Sequence, residues 1–342
     1  MPFDPNAAAD LSLGIFGLPF SRDESGLVVI PVPFEATVSY GGGTERGPEA
    51  VREASAQVDL LDRRFGEAWR AGICQEEPDE RFLGWGREAR ALAGPLIEKG
   101  GAGDSDAEAV GRVDQLCEQA NALVQERAAT ALGEGRIPCI LGGEHAVSLG
   151  AIRACAEKHG QIGVLQIDAH MDLRAAFEGF AYSHASVMYN ALEQVPGVSR
   201  LVQVGIRDLS RGETDYAAAQ GARVQTFYDD DLFDGIAAGA GFASACARII
   251  DGLPRSVYVT FDIDGLDPSL CPSTGTPVPG GLGFREASLL LHVLAESGKR
   301  IVGCDLVEVA PGAAGNDWDA NVGARVLFRL CMAALGSLNA GA

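Results

Sequence analysis

The segment Gln166-Ile167-Asp168-Ala169-His170-Met171-Asp172 places three metal-binding side chains directly after an apolar run at residues 162–167. Asp168, His170 and Asp172 are spaced two residues apart, and alternate side chains of an extended chain lie on the same side. Burying these ionisable groups together costs several kcal/mol each unless a cation compensates them. The segment therefore predicts a buried strand that ends in a metal site.

Similar apolar runs recur along the chain and alternate with segments rich in Ala, Leu, Glu and Arg. The runs are continuously hydrophobic, which is typical of strands buried on both faces of a parallel sheet. The alternation predicts an α/β protein with a three-layer α/β/α fold, a mostly parallel central sheet and right-handed crossovers. We expect strands at residues 26–32, 137–141, 162–167, 201–204, 223–227, 256–261 and 300–307. We expect helices at residues 110–132, 149–159, 242–252 and 285–297.

The chain shows no linker and no internal repeat, so we expect residues 1–342 to form a single domain. The most irregular segment covers residues 75–106, which is acidic at first and ends in a glycine-rich stretch. This segment is interpreted as a lid or an oligomer contact, with a plain surface excursion as the alternative.

Charge and cysteine content exclude several functional classes. The formal net charge is −20, which disfavours binding to a phosphate backbone, so no nucleic-acid partner is expected. No apolar run reaches membrane-span length and no signal peptide is recognised, so no membrane partner is expected. The eight cysteines are scattered without a C-x-x-C pair. This pattern is typical of reduced thiols and predicts a cytoplasmic protein.

Two other strand ends also carry metal-binding side chains. Asp262 and Asp264 follow the run 256–261, and two adjacent carboxylates repel each other unless a cation is present. His145 follows a short apolar run and a Gly-Gly pair at residues 142–143, at the predicted start of a helix. Functional residues of parallel α/β sheets gather at the carboxyl ends of strands, so we expect these groups to meet.

Four aspartates and two imidazoles suit a pair of Mn²⁺ or Ni²⁺ ions better than a thiolate zinc site or an all-oxygen calcium site. Two divalent ions that share a water molecule lower its pKa and supply a nucleophile at neutral pH. We therefore predict a hydrolase with two divalent metal ions per chain. The candidate ligands are His145, Asp168, His170, Asp172, Asp262 and Asp264.

Four motifs occur in a fixed order: Gly-Gly-Glu-His, Asp-Ala-His-x-Asp, Ser-His-Ala-Ser and Phe-Asp-x-Asp-x-x-Asp-Pro. Together with the segment 40–52, they resemble the ureohydrolase superfamily, which includes arginases and agmatinases. The resemblance spans nearly the whole chain. It implies an arginase-like fold, hydrolysis of a guanidino C–N bond with release of urea, and assembly into a homo-oligomer (a trimer or a hexamer).

The resemblance also implies a role for each site residue. His184 matches a histidine that passes a proton to the leaving amine, and Glu308 matches a carboxylate that binds the guanidinium. One metal ion would be held by His145, Asp168, Asp172 and Asp262. The other would be held by Asp168, His170, Asp262 and Asp264, so that Asp168 and Asp262 bridge the two ions.

Two positions depart from the family pattern. Glu144 replaces the Asp more often seen before the histidine, and Arg174 stands where arginases carry an Asn that helps to hold an amino-acid carboxylate. Arginine is therefore not the expected substrate. The stretches 172–179, 182–186 and 32–37 are most similar to a subgroup of guanidine hydrolases, which tend to use nickel.

The position of Arg174 has two interpretations. Its side chain could project towards the ligands and repel a cationic substrate tail, or it could pair with Glu178. If Arg174 repels a cationic tail, the expected substrate is a compact guanidine: guanidine itself, an alkylguanidine, a biguanide or a short guanidino acid. Agmatine, with hydrolysis to putrescine and urea, is the alternative.

Two other classes stay open beside the active hydrolase. One is a metal-binding but catalytically silent subunit of a hetero-oligomer, which would have no need to keep so much buried charge. The other is a deacetylase on the same fold, which would use one zinc ion and fewer carboxylates. The number of metal ions per chain distinguishes these classes.

Overall fold

A computed structural model describes residues 3–313 and 316–338. Its central sheet is built from β1 (Leu27–Val32), β2 (Ile73–Gln75), β3 (Ile137–Gly142), β4 (Ile162–Ile167), β5 (Val198–Ile206), β6 (Val224–Tyr228), β7 (Ser256–Asp262) and β8 (Arg300–Val307). The strand order is β2-β1-β3-β8-β7-β4-β5-β6, and every neighbouring pair is parallel. The carboxyl ends of all these strands therefore meet at one edge of the sheet.

The helices cover both faces of this sheet. They are α1 (Gly47–Ala54), α2 (Glu80–Glu98), α3 (Ala107–Gly133), α4 (Ser148–His159), α5 (Val187–Gln194), α6 (Arg211–Gln220), α7 (Asp229–Ala237), α8 (Phe242–Asp251), α9 (Phe284–Glu296) and α10 (Trp318–Ser337). Residues of α2, α3, α4 and α5 pack in one apolar core, and residues of α1, α8, α9 and α10 pack in another. Alternate residues of each central strand enter opposite cores, as Val28 and Val29 of β1 do. The predicted three-layer α/β/α fold with a parallel sheet is confirmed.

The seven predicted strands are all present, but the prediction for residues 75–106 was wrong in its local structure. This segment is largely the helix α2, whose buried residues include Phe82 and Leu96. Gly84, Gly86 and Pro95 lie within the helix and hide its sequence pattern, because these residues have low helix propensity. Packing against α3 compensates for that weak propensity. A lid or oligomer contact at this place stays a prediction.

Several other described elements were not predicted, namely β2, α5, α6, α7 and α10. The three-residue strand β2 is too short to give a periodic signal. The helix α10 is buried along most of its length, so its sequence lacks a polar face that would mark it as amphipathic.

All eight cysteines are buried and unpaired, as predicted for reduced thiols. Within the described residues, no helix combines the length and the apolar character that a membrane span requires.

Candidate metal centre

The six candidate ligands follow three strands at the carboxyl edge of the sheet. His145 begins a single turn of 3₁₀ helix after β3, and this turn leads into α4. Asp168, His170 and Asp172 follow β4, whereas Asp262 ends β7 and Asp264 lies in the turn after it. Because β7 and β4 are neighbours, these side chains converge, as the sequence predicted.

One group of ligand atoms comes from His145, Asp168 and Asp172, which lie within 4.8 Å of one another. His145 Nδ1 lies 2.9 Å from Asp172 Oδ2 and 3.1 Å from Asp168 Oδ2. The relative exposure of these residues is 4% or less, so water cannot solvate their charges. Asp262 Oδ2 lies slightly farther from the same nitrogen, at 3.4 Å.

A second group comes from Asp168, His170 and Asp264. His170 Nδ1 lies 3.0 Å from Asp264 Oδ2 and 3.6 Å from Asp168 Oδ1. The two oxygens of Asp168 thus face different groups, Oδ2 towards His145 and Oδ1 towards His170. This is the arrangement that a carboxylate shared between two metal ions requires. Asp262 Oδ2 faces the first group, and its Oδ1 accepts the Asp264 N–H at 2.8 Å.

Close backbone approaches bring these strand ends together at two glycines. A Cβ atom at Gly143 would lie 2.0 Å from the carbonyl oxygen of Phe34, and one at Gly265 would lie 2.7 Å from the backbone nitrogen of Asp168. No side chain fits at either position without moving backbone. The Gly-Gly pair before His145 therefore allows a close approach of the backbone of Phe34.

The extended backbone expected through Asp172 was not found. The strand β4 stops at Ile167, and Asp172 adopts a positive φ of 53°. The three side chains still meet, because the chain turns after the strand and Asp168 Oδ1 accepts the His170 N–H at 2.7 Å. The spacing identified residues whose side chains do meet, but a turn, not an extended chain, brings them together.

Burial and neighbouring charges shift the pKa values of the candidate ligands. Burial, followed by the charge of Asp168, raises the pKa of Asp172 to about 7. Burial and the charges of Asp264 and Asp168 raise the pKa of Asp262 well above its ordinary value. Burial lowers the pKa of His170, but the neighbouring carboxylates outweigh it and raise that pKa to about 12. The cluster thus retains protons to balance its buried negative charge.

Divalent cations fit these residues. His145 Nδ1 is buried and makes no hydrogen bond within the described residues, although three carboxylate oxygens surround it. An unpaired nitrogen among carboxylates is a mixed imidazole and oxygen ligand set, which suits Mn²⁺ or Ni²⁺. Bound cations would replace the retained protons and favour ionised carboxylates and neutral imidazoles.

Glu308 directly follows β8, and its side chain is buried beside the first ligand group. Its Oε1 accepts the backbone N–H of His145 at 2.6 Å, and its φ of 62° is unusual for a residue other than glycine. Its Oε2 accepts no hydrogen bond from the described part of the chain. Burial and the charge of Glu144 raise the pKa of Glu308 well above the ordinary range. A cationic guanidinium would relieve this cost.

His184 lies beside the ligands at the start of a short 3₁₀ turn, and its Nδ1 is 3.2 Å from Thr37 Oγ1. The Thr37 hydroxyl also donates to Glu144 Oε2 at 3.2 Å, so its oxygen can accept a hydrogen bond from a protonated His184 Nδ1. Burial, followed by the positive charges of His170 and His145, lowers the pKa of His184 to about 3. The ring is therefore neutral, with Nε2 left as the basic nitrogen.

Arg174 does not pair with Glu178, which corrects one of the two interpretations of this residue. Its Nε lies 3.4 Å from the buried carboxylate of Glu213, and its guanidinium stacks 4.6 Å from the Phe177 ring centroid. The Phe177 ring meets the His184 ring edge-on at 5.9 Å. Arg174 is thus linked through one aromatic ring to a candidate catalytic residue.

Sequence reasoning missed the polar residues that support the candidate ligands. Gln166 donates to Asp168 Oδ2 at 2.8 Å, and Thr260 Oγ1 lies 2.8 Å from His145 Nε2. Both precede a candidate aspartate by two positions, so the alternation of strand side chains that identified the ligands also indicated these residues. Thr37 gave no such signal, since its contact with His184 depends on the loop after β1.

The fold and the site define a parallel α/β protein with two neighbouring groups of carboxylate and imidazole ligands. The family model of the arginase family matches residues 25–333. The chain is 33% identical to the N(1)-aminopropylagmatine ureohydrolase of Thermus thermophilus, with 84% of each chain covered. It is 30% identical to the proclavaminate amidinohydrolase of Streptomyces clavuligerus, covering 90% of this chain and 88% of that one.

Among solved structures, the chain is similar to the agmatine ureohydrolase of Thermoplasma volcanium. The TM-score is 0.71 at 25% identity, with 94% of this chain and 93% of that chain covered. The chain belongs to the arginase family, and the predicted ureohydrolase superfamily is confirmed. It is a hydrolase of guanidino C–N bonds in linear amidines.

Proposed function

We propose that the chain uses two divalent metal ions, Mn²⁺ or Ni²⁺, to hydrolyse a compact guanidine and release urea. The observation that carries this proposal is Asp168, whose two carboxylate oxygens face two separate groups of ligand atoms. His145, Asp168, Asp172 and Asp262 would hold one ion. Asp168, His170, Asp264 and Asp262 would hold the other. Bound ions of this kind supply a water nucleophile at neutral pH.

Protein side chains would bind the guanidinium and move the proton. Glu308 is fixed through Oε1 by the His145 N–H, which leaves Oε2 to accept from a guanidinium N–H. His184 is neutral at rest, so it would first take a proton on Nε2 from the attacking water and then pass it to the leaving amine. Thr37 holds the ring in this orientation by accepting from Nδ1.

The substrate proposal depends on Arg174. Its guanidinium rests on Phe177, and Phe177 contacts His184, so the positive charge lies near the place where a substrate tail would leave the site. Two like charges at ~4 Å cost ~1 kcal/mol in water and ~4 kcal/mol near a protein surface. Glu213 offsets part of this charge, so we expect the lower end of that range. A neutral or carboxylate tail avoids the cost.

Agmatine is the second candidate substrate. The Thermoplasma volcanium relative is named an agmatine ureohydrolase, and the Thermus thermophilus relative is named for an aminopropyl derivative of agmatine. The contact of Glu213 with Arg174 also favours this reading, because it weakens the repulsion of an amine. The name of the Streptomyces clavuligerus relative, a proclavaminate amidinohydrolase, favours an acidic substrate instead.

We expect kcat/KM for guanidine, methylguanidine or a short guanidino acid to exceed that for agmatine by about tenfold, since ~1.4 kcal/mol corresponds to tenfold. The measurement is urea release by protein loaded with Mn²⁺ or Ni²⁺. Arg174→Ala should raise kcat/KM for agmatine and leave that for guanidine little changed. Arg211→Ala is the matched control, because Arg211 is highly exposed on α6 and pairs with Asp215.

A tenfold or larger preference of the wild type for agmatine over all these compounds would reject the compact substrate. Binding of metal without urea release from any guanidine would instead indicate the silent subunit of a mixed oligomer.

Metal loading should also stabilise the fold. A ligand that binds only the native state at 100 times its Kd adds about 2.7 kcal/mol to the free energy of unfolding. We therefore expect a chelator to lower the melting temperature by several degrees and Mn²⁺ or Ni²⁺ to restore it, measured by differential scanning calorimetry. Mg²⁺ serves as the control, because it prefers oxygen ligands and suits the two histidines poorly. Equal melting temperatures with and without Mn²⁺ and Ni²⁺ would contradict the proposed ligand set.

A further inference from the structure

A row of polar side chains crosses the buried sheet. On β4 and β7, it lies two residues before the candidate ligands Asp168 and Asp262. Its members are register partners on five adjacent strands, β6, β5, β4, β7 and β8. Four of them are fully buried, at 0% relative exposure, where polar groups are costly unless they are paired. In strand order, the row is Thr226, Gln203, Gln166, Thr260 and Asp305.

Hydrogen bonds in one half of the row all run in one direction. The Thr226 hydroxyl donates to Gln203 Oε1 at 2.9 Å, and Gln203 Nε2 donates to Gln166 Oε1 at 2.7 Å. Gln203 Nε2 also donates to the Met171 carbonyl at 2.8 Å. A carbonyl can only accept, so this contact fixes which end of the Gln203 amide carries the donors.

The fixed direction reaches the shared carboxylate. Gln166 accepts from Gln203 through Oε1, so its Nε2 faces the site and donates to Asp168 Oδ2 at 2.8 Å and to the His170 carbonyl at 3.2 Å. The other oxygen of Asp168 accepts the His170 N–H at 2.7 Å. Each oxygen of Asp168 therefore has its own donor, and the carboxylate cannot rotate freely between the two ligand groups.

The other half of the row, Thr260 and Asp305, is connected to His145 by hydrogen bonds. Asp305 accepts from the hydroxyls of Thr260 at 2.7 Å and Tyr258 at 2.8 Å, and from the Phe261 N–H at 3.2 Å. The Thr260 proton is thus directed to Asp305, and Thr260 Oγ1 accepts from His145 Nε2 at 2.8 Å. This direction places the histidine proton on Nε2 and leaves the Nδ1 lone pair facing the carboxylates.

We propose that this row is a positioning device for the metal centre, with Gln203 and Asp305 as its two anchors. Gln203 sets the orientation of Gln166 and so of Asp168, whereas Asp305 sets the direction of the Thr260 hydroxyl and so the tautomer of His145. Neither anchor belongs to the ligand groups. The inference rests on the proposed function, because it takes Asp168 and His145 to be metal ligands.

Two pairs of variants test the two halves separately. Thr260→Val keeps the shape of the side chain but removes the hydroxyl, whereas Thr260→Ser keeps the hydroxyl. Gln203→Met removes the amide at nearly constant length. Its control is Gln225→Met on β6, one residue from Thr226 and therefore on the opposite face of the sheet.

The readout is Mn²⁺ affinity and stoichiometry, measured on the full chain without substrate by isothermal titration calorimetry, with Ni²⁺ as a second probe. Loss of a group that supports a metal ligand costs about 10–100-fold in metal affinity. We expect such a loss in Thr260→Val and in Gln203→Met, and near wild-type affinity in Thr260→Ser and Gln225→Met. The melting temperature of each metal-free variant shows whether it is folded.

Wild-type affinity in folded Thr260→Val and Gln203→Met would overturn the inference while leaving the proposed function intact. A wild-type chain that binds neither ion would overturn the proposed function itself. If one of the two variants does not fold, the other half of the row still decides, because the halves share no hydrogen bond.

Discussion

Asp168→Ala should abolish urea release and remove both metal ions, because this carboxylate faces both groups of ligand atoms. Asp262→Ala should also abolish turnover, since its Oδ2 faces His145 and its Oδ1 holds the Asp264 turn. Metal content after gel filtration, measured by mass spectrometry, should fall from about two ions per chain to less than one in Asp168→Ala, as the loss of a shared ligand implies.

Asp267→Ala is the matched control for these two variants. Asp267 belongs to the same sequence motif, but its Oδ1 accepts the Ser269 N–H at 2.8 Å in a turn outside both ligand groups. We expect this variant to keep its metal and most of its activity. Full urea release by a metal-free preparation of Asp168→Ala or Asp262→Ala would contradict the metal-dependent assignment.

His184→Ala should keep both metal ions and lose about 10²–10⁴-fold in kcat, the range typical of a general acid or base. The ring contacts Thr37, Ser183 and Phe177, and it belongs to neither ligand group in the described part of the chain, so its removal leaves both groups complete. Urea release gives the rate, and calorimetric titration with Mn²⁺ gives the affinity. Loss of metal in this variant would make His184 a ligand or a structural support instead.

The control for this variant is His159→Gln. His159 ends α4, a helix of 12 residues, and therefore lies about 18 Å of helix away from the end that follows His145.

The pH profile of urea release gives a second check on the role of His184. Because the pKa of His184 is lowered to about 3, the rate should not decline through an ordinary histidine titration near 6.5. A loss of activity with a midpoint at that pH would point to a charged resting ring.

The candidate ligands could be found from sequence because two regularities coincide. The spacing of two residues after an apolar strand identified Asp262 and Asp264, although Asp264 lies in the turn after β7. Parallel strand ends share one edge of the sheet, which brings both to Asp168. Neither regularity depends on the packing of distant elements. The same reasoning could have extended two residues back to Gln166 and Thr260, which belong to the polar row.

Other parts of the site could not be predicted, because they depend on contacts between distant parts of the chain. Arg174 was expected to face substrate or to pair with Glu178, four residues away. Its partner is Glu213, a buried residue in the otherwise exposed first turn of α6. The contact of Thr37 with His184 spans 147 residues, and no local pattern encodes it. The helix α2 could not be predicted because its glycines and proline give it a weak helix propensity. Packing against α3 stabilises it instead.

The strand order has a consequence for how the molecule folds. The strands β3 and β4 follow each other in sequence, yet β8 and β7 lie between them in the sheet. During synthesis, the chain segments that carry His145 and Asp168 therefore cannot occupy their final places until residues 256–307 have emerged and inserted between them. Such late, non-local pairing is slow and exposes apolar strand edges while it lasts. The middle of the sheet is thus completed last. A nascent chain that stops before β7 has the residues of one ligand group, but it lacks the two strands that join β3 to β4.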